Sequence, residues 1–321
     1  MGGHMILRVP HLGGIDVAYQ MPHGYDRKKP TLLMIHSFMA TSDQYLPQFG
    51  DKELADAVNL IAVELLGHGQ TRTKCENYTY WDSAYMVVQL LDALTISKFY
   101  ALGTSQGGWI AARLALLAPT RVQGIIPLGT SMDSESERSR NLGCWDVRPI
   151  GEPIIHQLTV EAPAPDFELT EQFCNLLIDM GFGREIDTTI RQTLIKGVQE
   201  NYRHDDGRKR ARMSMINLSD RDGLHGRLAD VMCSVLWLHG TSDPVYSVAN
   251  AQETIKLFTQ SPKATVEVIQ GGQHFLSASH PAEVDAAVLS FIKETQFERH
   301  EAPRDLPLDA PFKRLMLQSR S

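Results

Sequence analysis

Ser105 stands in the pentapeptide Gly103-Thr104-Ser105-Gln106-Gly107, a G-x-S-x-G spacing. Residues 98–102 (KFYAL) precede it and read as a short buried strand. Residues 108–117 (GWIAARLALL) follow it and read as a helix. A strand that turns sharply into a helix holds the serine in a strained backbone conformation and leaves its hydroxyl exposed at the strand's end. The flanking glycines leave room for the turn, because a Cβ there would collide with a neighbouring strand or helix. The chemistry this suits is nucleophilic attack.

A serine hydroxyl is a weak nucleophile, so it needs a base that is itself oriented by an acid. Asp243 lies in His239-Gly240-Thr241-Ser242-Asp243-Pro244-Val245, just past a predicted strand. His274 lies in Gln270-Gly271-Gly272-Gln273-His274-Phe275, just past the next one. Both therefore emerge on the same sheet edge as Ser105. Asp133, which follows the strand after the serine helix, is the rival acid. His68, in a Gly-His-Gly turn, reads as a loop shaping the pocket's rim. His36 opens a loop after an earlier strand, and His280 sits at a helix start. The oxyanion that forms needs two backbone N–H donors. Gln106, directly after the serine, is expected to give one, and Phe38, in the loop of residues 36–42, the other.

The positioning elements alternate. Strands are expected at residues 15–20, 31–36, 60–65, 98–102, 122–128, 234–239 and 265–269, and helices at 81–94, 248–258 and 281–293. In the helix of residues 81–94, Tyr85, Val88, Leu91 and Leu94 are the expected core positions. Pro127 is expected to end regular pairing in its strand. Apolar runs without alternation, separated by helices, imply an α/β fold with a mostly parallel, doubly wound sheet covered on both faces. Residues 5–130 and 231–297 form this core. Residues 131–230 interrupt it with helical segments such as 171–180 and 186–202, and are expected to form a helical cap over the strands' C-terminal edge, where ligands bind. The run Arg208-Lys209-Arg210-Ala211-Arg212 is either a solvated helix face or a contact for an anionic group. The tail, residues 298–321, is expected to be extended or disordered.

Composition bounds the rest. The 321 residues are 43% hydrophobic, enough for a large core, and carry a net charge of -7. That balance gives no electrostatic case for nucleic acid. No apolar run approaches the ~20 residues of a membrane span, and the N-terminus lacks a signal-peptide layout. Met1-Gly2-Gly3-His4 reads as an appended leader. Cys75, Cys144, Cys174 and Cys233 have no metal-like spacing and read as free thiols of a cytoplasmic protein. No metal or organic cofactor is expected.

With these residues in hand, the chain resembles the α/β-hydrolase superfamily, in its serine-nucleophile bromoperoxidase, esterase and lactonase branches. The resemblance covers roughly residues 12–130 and 231–295. His36-Ser37-Phe38 resembles the His-Gly-Phe oxyanion loop, with Ser37 for the glycine. Leu66-Gly67-His68-Gly69-Gln70-Thr71 resembles the Pro-Gly-His-Gly-x-Ser loop. Gly240-Thr241-Ser242-Asp243 and Gly272-Gln273-His274-Phe275 match the acid and histidine loops. The resemblance implies a serine hydrolase acting on an ester, lactone or thioester of a hydrophobic small molecule through an acyl-enzyme. Carbon–carbon bond hydrolysis, acyl transfer and a non-catalytic small-molecule receptor remain open alternatives on the same fold. Candidate pocket residues are Met39, Trp109, Trp145, Val245 and Phe275, with Trp109 equally suited to core. Cap residues Trp145, Phe173 and Phe182 are expected to govern acyl-group choice more than chemistry.

Overall fold

The structure is a computed structural model in which residues 3–296 are described. The strands are β1 (Met5–Val9), β2 (Ile15–Gln20), β3 (Thr31–Ile35), β4 (Asn59–Val63), β5 (Arg72–Thr73), β6 (Phe99–Thr104), β7 (Val122–Leu128), β8 (Ser234–Gly240) and β9 (Ala264–Ile269). They form one sheet of nine strands in the order β1-β2-β4-β3-β6-β7-β8-β9, with β5 attached to β2. From β4 to β9 all pairs are parallel, whereas β1 and β2 run antiparallel. Neither β1 nor β5 stands out in the sequence; each is short and lies at the sheet's margin.

Alternate residues of the central strands face opposite layers. Leu33, Ile35, Ile61, Val63, Ala101 and Val235 pack under the helices Tyr80–Ala93 and Gln106–Leu117. Leu32, Met34, Leu60, Ala62, Leu102 and Leu236 pack on the other side, against the helix Pro281–Thr295. This two-sided burial is why the strands read as unbroken apolar runs.

Several local expectations need correction. In the helix Tyr80–Ala93 the buried residues are Tyr80, Ser83, Ala84, Met86, Val87, Leu90 and the expected Leu91, and the expected Val88 and Leu94 pack against the core, while Tyr85 is exposed and packs edge-on to the His11 ring at 4.9 Å. The capping box that Thr79 forms with Asp82 sets the start of this helix. Pro127 does not end β7: it pairs with Gly103, and Leu128 beyond it pairs with both Thr104 and Leu238. A proline lacks only the donor, so its carbonyl side can stay in the ladder. His4, set aside as leader, places Nε2 2.9 Å from the buried Glu64 carboxylate. The expectation for the tail falls outside the described residues.

Between β7 and β8 the chain is helical, with Arg148–Leu158, Glu171–Phe182, Thr188–Asn201 and His204–Asp220 as the longer elements. The basic run lies on the last of these, and three of its four charges are paired with carboxylates of the chain. Arg208 pairs with Asp205, Lys209 with Glu76 and Arg210 with Asp206, and Arg212 donates to Thr159.

Candidate active site

The parallel register aligns the strand ends that carry the site. Ile35 pairs with Gly103, Thr104 with Leu128, and Gly240 with Ile269. The loops after β3, β6, β8 and β9 thus open on one edge.

Ser105 follows β6 and caps the helix Gln106–Leu117, with φ 53° and ψ −115°. A positive φ on a side-chain-bearing residue stores strain. The turn is held by Ser105 N–H donating to Leu128 O at 2.8 Å and Gly108 N–H donating to Ser105 O at 2.9 Å. The glycines are required by close approach. A Cβ on Gly103 would run into the Gly107 carbonyl, and one on Gly107 into the Ile35 carbonyl.

His274 Nδ1 lies 2.9 Å from Asp243 Oδ2. The other carboxylate oxygen, Oδ1, accepts from Val245 N–H at 2.8 Å and Tyr246 N–H at 3.0 Å. Burial by itself would raise the Asp243 pKa. The His274 charge and hydrogen bond, with help from His239 and the Tyr246 N–H, outweigh it and hold the carboxyl below its ordinary range. His239 was not singled out by sequence. Its Nδ1 accepts from Trp237 Nε1 at 3.3 Å, which leaves Nε2–H to donate to Tyr246 O at 2.9 Å. It therefore fixes the acid loop from below. Gly129 lets this pair approach the sheet, since its Cβ would lie 3.0 Å from Asp243 Oδ2 and 3.3 Å from His274 Nδ1.

Asp133, the rival acid, is occupied elsewhere. It accepts from Ser134 N–H at 2.9 Å and Ser136 Oγ at 2.5 Å, and its nearest imidazole is His225 at 3.7 Å.

The two expected oxyanion donors sit in tight, well-tied positions. Gln106 is the first helical residue, so its N–H has no intrahelical acceptor. Its side chain is clamped: Oε1 accepts from Tyr80 Oη at 3.3 Å, and Nε2 donates to His68 Nε2 at 3.2 Å. His68 Nδ1–H in turn donates to Leu66 O at 2.8 Å. Burial keeps this ring neutral, its pKa well below the usual imidazole range. His68 thus supports Gln106 from behind rather than lining a rim. In the other loop, Ser37 N–H and Oγ both donate to Gln44 Oε1, at 2.9 and 2.7 Å. That engagement leaves Phe38 N–H as the loop's candidate donor. Phe38 precedes Met39, whose φ of 57° closes a turn sealed by Ala40 N–H donating to Ser37 O at 3.2 Å.

Ser105 and His274 line one solvent-open cleft whose free space, counted out into the solvent, is about 570 Å³. Of the candidate pocket residues, Trp145, Val245 and Phe275 line it, along with Phe38. Met39 and Trp109 do not. Met39 turns into the apolar cluster of the helical region with Leu158 and Ile178. Trp109 is drawn into the core, where the guanidinium groups of Arg221 and Arg113 stack on it at 4.6 and 5.8 Å from its ring centre. Of the residues expected to govern acyl choice, Trp145 and Phe173 line the cavity and Phe182 does not; the rest of the wall was not singled out by sequence. Phe173, Leu176, Leu177 and Met180 recur at i, i+3, i+4 and i+7 on the helix Glu171–Phe182 and face the cavity, joined by Ile150, Met215 and Leu218. The helical spacing was visible; the face that meets the cavity was not. Among its lining residues, polar side chains are those of Ser105, Tyr246, His274 and Trp145.

Comparisons with known proteins agree with this architecture. A family model described as "alpha/beta hydrolase fold" matches residues 30–143. Monoacylglycerol lipase ABHD6 of Mus musculus is 23% identical over 297 residues, covering 90% of this chain and 82% of that protein. The bromoperoxidase of Bacillus anthracis superposes with a TM-score of 0.74 at 19% identity, covering 91% of this chain and 100% of the other. An esterase from Exiguobacterium antarcticum does so with a TM-score of 0.74 at 17% identity, covering 90% and 100%.

Proposed function

We propose, from the premise that this chain belongs to the alpha/beta-hydrolase superfamily, that it hydrolyses carboxylic esters of an apolar acyl group through an acyl-enzyme on Ser105. The observation that carries this reading is the shared cavity: Ser105 and His274, the latter backed by Asp243 at 2.9 Å, line one space whose remaining walls are almost wholly apolar.

His274, with Nδ1–H directed at Asp243, presents Nε2 as the base that takes the Ser105 proton. The serine oxygen then attacks the ester carbonyl. The Gln106 and Phe38 N–H groups hold the oxyanion, and His274 returns its proton to the leaving alkoxide. A water activated by His274 cleaves the acyl-enzyme. Asp243 fixes the tautomer and stabilises the imidazolium. The apolar walls accept the acyl chain. Each buried methylene contributes about 0.8 kcal/mol, or roughly fourfold in kcat/KM per carbon until the cavity is full. The likeness to a monoacylglycerol lipase supports an aliphatic acyl group in that space.

The test is Ser105→Ala against a series of p-nitrophenyl esters of rising chain length. The reading expects turnover to fall on the order of 10⁶-fold with the fold intact, and wild-type kcat/KM to rise along the series. Undiminished turnover by a folded Ser105→Ala protein refutes the nucleophile. Turnover only when an alcohol or amine acceptor is supplied would make the protein an acyltransferase.

A further inference from the structure

The base does not hang on the sheet alone. Phe275, adjacent to His274, donates its backbone N–H to Gly181 O at 2.8 Å. Gly181 belongs to the helix Glu171–Phe182 of the helical region between β7 and β8. The contact is close: a Cβ at Gly181 would lie 2.5 Å from Phe275 Cε2, 2.6 Å from Cδ2 and 2.9 Å from Cζ. Phe182 packs edge-on to the Phe275 ring at 5.2 Å. Gly183, with φ +82°, brings the chain against Gln273 on the other side of the histidine, where a Cβ would sit 2.9 Å from Oε1. Both sequence neighbours of His274 thus rest on the end of one helix.

The acid loop is tied to the same helical region. Trp145 N–H donates to Val245 O at 2.9 Å, and Arg221 donates to Tyr246 Oη at 3.2 Å while paired with buried Glu135. Ser105 differs. Its backbone bonds run to Leu128 and Gly108, on the sheet and its own helix. The nucleophile is therefore placed by the sheet, and the base and acid loops are placed partly by the helices above them.

We propose that the helix Glu171–Phe182 is a positioning element for His274, acting through Gly181. Its face of Phe173, Leu176, Leu177 and Met180 forms the acyl wall, so one rigid element both contacts the acyl chain and seats the base. Displacing the helix moves His274 away from Ser105, and the site is competent only with the wall in place. The inference rests on the reading of Ser105 and His274 as nucleophile and base, and it reverses the expectation that this region governs acyl choice with little effect on chemistry.

The experiment is Gly181→Ala, with fold checked by circular dichroism and melting. A misplacement on the order of 1 Å costs about 10²-fold in rate. The expected result is a kcat about 100-fold lower, KM changed less than about threefold, and an equal drop in the rate at which a small fluorophosphonate labels Ser105. A wall that only bound substrate would raise KM and leave labelling alone. Phe182→Leu, which trims the ring contact, gives the same signature at about fivefold and serves if Gly181→Ala fails to fold. Phe275→Val removes the ring atoms that the new Cβ meets, so adding Gly181→Ala in that background costs no further activity. Ile190→Ala, on an exposed face of the neighbouring helix, leaves all these quantities unchanged. The proposal is overturned if folded Gly181→Ala keeps wild-type kcat and labelling, if Phe182→Leu changes KM alone, or if the Gly181→Ala loss is undiminished beside Phe275→Val. Loss of function in Ser105→Ala together with a neutral Gly181→Ala sinks this inference only; retained function in Ser105→Ala sinks the reading beneath it.

Discussion

Asp243→Asn separates the roles of the two carboxylate oxygens. Oδ1 faces two N–H donors, from Val245 and Tyr246, at 2.8 and 3.0 Å. An asparagine must keep its carbonyl oxygen on that side, because its NH₂ there would oppose two donors. The NH₂ is then forced toward His274 Nδ1, 2.9 Å from the position of Oδ2. Nδ1 becomes an acceptor, the proton moves to Nε2, and the ring can no longer take the proton of Ser105. The wrong tautomer costs on the order of 10⁴ in kcat, or about 5.4 kcal/mol of barrier at 1.36 kcal/mol per tenfold. The fold should survive, since every hydrogen bond of Asp243 keeps a partner. The assay is steady-state hydrolysis of a short aryl ester, with Asp133→Asn in parallel. Asp133 bonds only within its own turn and toward His225, so its variant should stay within about tenfold of wild type. A folded Asp243→Asn protein within tenfold of wild type, or a larger loss in Asp133→Asn, refutes this account of the acid.

Gly107→Ala drives a Cβ into the Ile35 carbonyl and should lower the melting temperature and abolish activity, overpacking of this kind costing about 1–3 kcal/mol. Gly226→Ala, whose Cβ meets nothing within 4 Å, is the matched control. Ser37→Gly removes one of two bonds to Gln44 and should cost about 1 kcal/mol of stability, with Ser105 labelling within threefold of wild type. A collapse of labelling would mean that Ser37 Oγ does more than hold the loop. Asp285 lies on the buried face of the helix Pro281–Thr295, with Gln48 Nε2 3.0 Å from Oδ1. Burial pushes its pKa up to about 7, the Gln48 bond opposing and the Asp51 charge adding. The folded state therefore holds this proton more tightly than the unfolded chain. Stability falls as pH rises from the ordinary carboxylate range through about 7. Asp285→Asn should flatten that fall, its melting temperature gaining on wild type at pH 8 relative to pH 5; an unchanged pH slope would contradict this.

Much of the site was legible because its residues follow strands. Asp243 and His274 were expected from their strand-end positions and their order along the chain after Ser105, and the structure brings them within 2.9 Å of each other. What was not legible depends on contacts far apart in sequence. Trp109 was equally suited to core or pocket until Arg221, folding back from the far end of the helical region, stacked on it. The amphipathic spacing of Phe173, Leu176, Leu177 and Met180 announces a buried face but not what it faces. His239 looked like the last residue of a strand, and only the loop's return over it gives its Nε2–H a carbonyl to hold. Of the four core positions expected around the helix Tyr80–Ala93, Tyr85 alone was misjudged, because its ring lies exposed at the helix edge against His11 while Leu91 is buried and Val88 and Leu94 pack on the core.

The central claim is a covalent intermediate on Ser105. Wild-type protein mixed with a p-nitrophenyl alkanoate, acid-quenched within milliseconds and examined by intact and peptide mass, tests it. The account predicts a transient mass increase of one acyl group, confined to the peptide carrying Ser105 and absent from Ser105→Ala. Turnover with no such adduct, or an adduct on another residue, would contradict it.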